Sequence, residues 1–278
     1  MSLSRKKAMI NSQSIRHSCM VSFACVILTL NIASGAVVCP GTYDGHLQGI
    51  ATDKRMAIYW SFTTTLVKTD ADGKLLKKTS VPDHHGDLTV HDKKLYVAVN
   101  LGKFNEEAGQ ANSWVYIYDT EDLNFVSKHS IPEVVHGAGG MDYYKERFFI
   151  VGGLPEGHSA NYIYEYDKDF KFLMKHTIKS GYTLMGIQTA CYSQDYWWLG
   201  GYGSPPTLLK TDASFQLIGS YDFDCALGVS GFSDETFLIG RRFGEIPQGG
   251  QLLLATIDSE KGLVMVEKMA EQEATNNP

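Results

Sequence analysis

The chain has no closely spaced cysteine and histidine pairs of the zinc-site kind, no apolar run after residue 36 long enough to span a bilayer, and no helical periodicity of useful length. These absences remove zinc-ribbon, polytopic membrane and helical-bundle readings; a short turn near residues 269–274 is the only helical expectation. Basic patches and acidic tails are missing too. The formal charge is -6, and it becomes more negative if the basic leader is lost, so nucleic acid is not an expected partner. No catalytic motif stands out either, which leaves architecture far more legible than chemistry.

What is present is a repeat. An aspartate follows an apolar, aromatic-rich strand at Asp70, Asp119, Asp167, Asp212 and Asp258, a step of about 45 to 50 residues, the period of propeller blades. Turn-forming text follows it, as in Asp70-Ala71-Asp72-Gly73, so the aspartate is read as a turn cap between two strands rather than a ligand or catalyst. Five copies imply an all-β, five-bladed propeller of four antiparallel strands per blade. Blade one divides into strands at 46–52, 57–62, 65–69 and 75–81, and the other inner strands fall at 86–91, 139–144, 185–190 and 229–233. The second strands are the most apolar, as suits strands covered by blades on both sides. Each blade is complete within its repeat, with 263–269 in blade five, so no exchanged strand is expected at the ring closure.

Arg5, Lys6, Lys7 and Arg16 precede an apolar run over 20–33, and small residues follow at Ser34, Gly35 and Ala36. This is the layout of an export signal, with cleavage expected after Ala36; an uncleaved membrane anchor is the alternative. The division is therefore a signal peptide over 1–36 and a single propeller domain over 37–278, secreted or periplasmic, monomeric and off the membrane once the leader is gone. Cys19 and Cys25 leave with the leader, and Cys39, Cys191 and Cys225 remain. Cys39 and Cys225 precede the inner strands of blades one and five, neighbours in a closed ring, so a Cys39–Cys225 disulfide is expected to lock it, with Cys191 a buried thiol.

In a propeller the connection into each inner strand and the loop between second and third strands share one end of the barrel. Here that end collects Asp44, His46 and Gln48, then His84, His85 and Asp87, then His136, Tyr182, Thr183 and Asp224, with long loops over 100–112, 152–161, 202–206 and 241–248. The opposite end has short turns and looks bland. His46, His84 or His85, and His136 could converge on a divalent metal through neutral imidazole, with His46, His85 and His136 the favoured set, or simply bond backbone groups. A third reading makes a histidine the acid or base, with Asp87 orienting its ring and His85, Asp87, His136 and Tyr182 forming the catalytic set. His46, Gln48, Trp60, Tyr202, Arg241 and Arg242 are the expected ligand contacts. One arginine would meet an anionic group, or pair instead with Glu245 or with a neighbouring blade, and the aromatic rings would stack on the ligand or serve as interblade packing.

Gln48-Gly49-Ile50, His84-His85-Gly86-Asp87-Leu88 and Leu95-Tyr96 resemble the repeat text of five-bladed propellers related to the glutaminyl cyclases, and the chain is also similar to uncharacterised secreted bacterial propellers. The cyclase resemblance implies the propeller fold and cyclisation of N-terminal glutamine. It departs at Tyr59-Trp60-Ser61-Phe62-Thr63, where those enzymes carry Tyr-Glu-Ser-Thr-Gly and Trp60 replaces the acid. The expected function is binding of a small polar, anionic or glycan ligand in the funnel, with histidine acid–base chemistry. A non-catalytic glycan- or protein-binding module and cyclase-like activity are the alternatives.

Overall fold

A computed structural model describes residues 36–53 and 57–266. The signal-peptide reading, apart from Ala36, and the turn near 269–274 lie outside the described residues. The described residues form five antiparallel sheets following one another along the chain. Blade one is Leu47–Thr52, Ala57–Phe62, Thr65–Asp70 and Leu75–Ser80; blade two is His85–His91, Lys94–Asn100, Ser113–Asp119 and Phe125–Ser130. Blade three is Ala138–Tyr144, Arg147–Gly152, Asn161–Tyr166 and Phe172–Ile178; blade four is Leu184–Ser193, Tyr196–Tyr202, Thr207–Thr211 and Leu217–Asp222. Blade five begins with Val229–Gly231, Thr236–Phe243 and Gly249–Asp258. No helix among them is long and apolar enough to cross a membrane.

Alternation along the second strands builds the core. Neighbouring residues point to opposite faces of a blade, so Trp197 packs toward blade three and Trp198 toward blade five, while Tyr59 faces blade two and Trp60 faces blade five. The apolar interior is accordingly five clusters, one at each junction between blades. The repeating aspartates cap the turns between third and fourth strands. Asp70 accepts from the amides of Asp72 and Lys74, Asp167 from Asp169 and Lys171, Asp212 from Ser214 and Gln216, and Asp258 from Glu260 and Lys261. Asp119 takes three amides with its two oxygens.

Ring closure differs from the expectation. The outer position of blade five is shared: Gly262–Met265 pairs with one half of Gly249–Asp258, and Val37–Val38, from the other end of the chain, pairs with Leu252 and Gln251 in the other half. The pairing continues through Cys39 N–H to the Gly250 carbonyl at 2.8 Å and through reciprocal Tyr43 and Gln248 backbone bonds at 2.9 and 2.8 Å. An exchanged strand therefore closes the ring. The expected Cys39–Cys225 disulfide is absent, with all three described cysteines as thiols. Cys39 lies at the outer position of blade five, on the side facing blade one, whereas Cys225 precedes the inner strand on the side facing blade four. Three strand spacings of about 4.8 Å separate such radial positions, roughly twice the Cα reach of a disulfide. Burial pushes the Cys39 thiol up to about 12, with the Tyr43 hydroxyl 3.6 Å away. Cys191 is a buried thiol that accepts Gly231 N–H at 3.1 Å.

Candidate functional site

The inner strands of blades one to four all enter through a break in register: between Leu47 and Gly49, His85 and Leu88, Ala138 and Gly140, and across Leu184, Ile187 and Thr189. Such bulges re-aim side chains at the rim of a sheet, and here they decide which histidine reaches the funnel. His84 does, and His85 does not. A pocket of ≈ 170 Å³ at the mouth is lined by His46, Gln48, His84, Gly86, Phe104, Ala138, Gly139, Met185, Gln188 and Tyr202.

Its polar floor is ordered by hydrogen bonds. Gln48 Nε2 lies 2.8 Å from His84 Nε2; an amide nitrogen only donates, so His84 accepts there and carries its proton on Nδ1. Gln188 donates to the Met185 carbonyl at 2.6 Å. The His46 and His84 ring centroids are 6.4 Å apart. Burial lowers the pKa of both; for His46 the neighbouring His84 and the Arg242 charge lower it further. Both rings are therefore neutral near pH 7 and able to accept or relay a proton. Burial raises the Tyr202 hydroxyl, partly offset by Arg242. Arg242 is exposed and has no carboxylate partner among the described residues, whereas Arg241 pairs with Asp224 rather than with Glu245.

Other expected site residues lie elsewhere. His85 is fully buried, its Nδ1 2.7 Å from the Pro82 carbonyl and its Nε2 2.8 Å from the Tyr118 hydroxyl, so it is a bonded core histidine. His136 sits over blade three, its Nδ1 2.9 Å from the Glu106 carbonyl and its ring edge-on to His158. His46, His85 and His136 thus do not converge on a metal, and no group of three or more potential ligands forms among the described residues. Trp60 is wholly buried between blades and donates to Thr69 Oγ1 at 3.1 Å, so its ring is packing. Tyr182 is 43% exposed at the approach to blade four, outside the pocket lining.

Asp87 orients no histidine. It lies at the centre of the ring, its carboxylate against Gly49 and Gly140, where any Cβ would come within 2.3 and 3.1 Å of it. Oδ2 accepts Ala190 N–H from blade four at 3.2 Å, and Oδ1 has no hydrogen-bond partner. Burial holds its pKa well above the usual carboxylate range, against the pull of the Leu88, Ala190 and Ile50 amides. Beyond it the opposite end is not bland: a second pocket of ≈ 170 Å³ opens among Thr89, Asp142, Tyr143, Tyr192 and Ser230. There Asp142 accepts from the Thr89 hydroxyl and from the Tyr143 and Tyr192 amides, each at 2.7 Å.

Phe104, Met185 and Gln188 were not legible as site residues. Phe104 rides on a loop that folds back through Leu101–Asn112 and Lys103–Gln110 backbone bonds and docks on blade three through Asn105 N–H to the His136 carbonyl at 2.9 Å. Gly137, at φ +98, leaves room for its ring. Gln188 had a signal, since it stands two residues before Ala190 as Gln48 stands two before Ile50, and both partners pair with the fourth residue of their second strand.

No known family profile matches the chain, and no curated protein matches it in sequence. Among solved structures, a luciferin-regenerating enzyme is similar with a TM-score of 0.51 at 14% identity, over 84% of this chain and 80% of that one. A functionally unknown protein from Desulfotomaculum acetoxidans gives 0.45 at 11%, over 81% and 69%. The nidogen/laminin complex gives 0.46 at 7%, over 70% and 72%. At such identities the first supports the propeller architecture and nothing finer.

Proposed function

We propose that this is an exported, monomeric propeller that takes a small ligand bearing a polar, anionic group into the funnel pocket, with His46 as the acid or base that exchanges a proton with it. The observation carrying this reading is the pair of neutral imidazoles, one tied to Gln48, in a pocket beside an arginine without a carboxylate partner. A neutral imidazole accepts a proton, and the Arg242 charge favours an anion next to it. Paired-carboxylate glycoside chemistry has no support, because Asp44 is exposed, Asp87 is sealed in the axis and Asp224 is held by Arg241. Cyclase-like activity has as little, since Trp60 occupies the place of the acid and is core.

The second reading is a non-catalytic binding module, favoured by the lack of any carboxylate or thiol in the pocket lining. Thermal-shift screening of the chain from residue 37 against small carboxylates, phosphate monoesters, neutral oligosaccharides and glutaminyl peptides separates the readings. Stabilisation by anions, lost in His46→Ala and His84→Ala variants that melt as the parent does, supports the pocket. Stabilisation that these variants leave intact overturns it. Ligand binding that survives His46→Gln with no chemical change to the ligand in either protein favours the binding module.

A further inference from the structure

The pocket is polarised from side to side. His46 and His84 in the lining belong to blades one and two, and Arg242 of blade five, outside the lining, lies close enough to act on His46 and Tyr202, whereas Phe104 over blade three and Met185 and Tyr202 of blade four make the remaining wall. That wall continues outward, because Leu184 pairs directly with Tyr202 and is 47% exposed, Met185 is 38% exposed, and Tyr182 two residues earlier is 43% exposed. Adjacent large apolar side chains left in water beside a concave, partly apolar pocket mark a binding surface.

We infer that the ligand is an amphiphile, a monoanion whose charged group meets Arg242 and His46 while an apolar aliphatic or aromatic body lies on Phe104, Met185, Tyr202 and Leu184. This rests on the funnel reading above and narrows it against a sugar. A sugar would need several hydroxyl partners on both sides of the pocket, and the blade-four wall offers the Tyr202 hydroxyl and the Gln188 carboxamide, whose nitrogen is already given to the Met185 carbonyl. The opposite exposure of charge and apolar surface across one mouth suits a molecule with two unlike ends.

The test is a homologous series: acetate, butanoate, hexanoate and octanoate, with hexan-1-ol as the uncharged control and galacturonate as the polar anion, titrated by calorimetry into the chain from residue 37. Affinity should rise roughly fourfold for each methylene that reaches the apolar wall, from about 0.8 kcal/mol per buried CH₂. Leu184→Ser and Met185→Gln should flatten that slope, weakening octanoate far more than acetate. Arg242→Gln should weaken every carboxylate by a similar factor and leave hexan-1-ol unchanged. Galacturonate binding more tightly than hexanoate, still dependent on His46 and His84, would overturn the amphiphile inference and leave the funnel reading standing. No binding of any carboxylate would overturn the amphiphile inference, and if phosphate monoesters also failed to bind the funnel reading would fall with it. A slope that persists in Leu184→Ser and Met185→Gln proteins would sink the assigned wall.

Discussion

Two buried titratable residues pull stability in opposite directions with pH. Burial depresses His85 to about 4, so the folded state refuses a proton that the unfolded chain accepts near 6.5. Its contribution is intact above 6.5 and is lost as the pH falls toward 4, about 3 kcal/mol at the limit. Asp87 is the reverse: its folded pKa is raised, so its contribution is complete below the unfolded carboxylate value and is lost as the pH rises through the folded one. Between pH 4 and 6.5 the two offset each other. Urea unfolding across that range should therefore show a steeper acid loss in Asp87→Asn than in the parent, and in His85→Gln a stability that rises on acidification. A pair of variants with parallel profiles would mean that neither group carries the linkage. The adjacent histidines also show where sequence stops being informative. Residue type pointed to an end of the ring where a pocket opens, but the backbone path at the bulged entry to blade two, which leaves no mark in composition or spacing, put His84 rather than His85 in its lining.

Within single elements, the turn caps and the closing strand are the features to perturb. Asp212→Ala removes the acceptor for two turn amides and should cost about 1 kcal/mol, as a lost cap does, or a few degrees of melting temperature for a domain of this size; Asp212→Asn should recover part of it. Tyr43 stacks on Phe62 at 3.9 Å and anchors the closing segment, so Tyr43→Ala should cost about 3 kcal/mol, the range of a large aromatic truncation. A loss under 1 kcal/mol would show that the segment contributes little. The blades were legible because the aspartate, the turn text and the period-two alternation all recur five times and agree. The closure was not, because Val37–Val38 is two residues long, lacks a turn signal and finds its partner only through the whole ring.

Across the molecule, closure by a strand instead of a disulfide makes a claim about the order of opening. Cys39 lies in the closing segment, while Cys225 is fully enclosed between blades four and five. Alkylation under sub-denaturing urea, followed by mass spectrometry, should label Cys39 well before Cys225; simultaneous labelling would show that the ring opens only by global unfolding. The long loops and clustered histidines pointed to an end of the ring that carries a pocket, yet Phe104 reaches it through loop docking and Met185 through the bulged start of blade four's inner strand, which no local pattern encodes. The closing strand also bears on how the protein comes into being. Val37 must wait for Leu252, roughly two hundred residues further along, so the earliest segment of the fold to be synthesised is among the last to be seated. Until then the flank of blade one that carries Trp60 stays open to water, and a chain emerging in stages carries that apolar seam exposed almost to its end. A circular permutant that begins at residue 44 and joins 36–43 behind the last strand of blade five would place the strap next to its partner in time as well as in space, and should refold faster to the same ring.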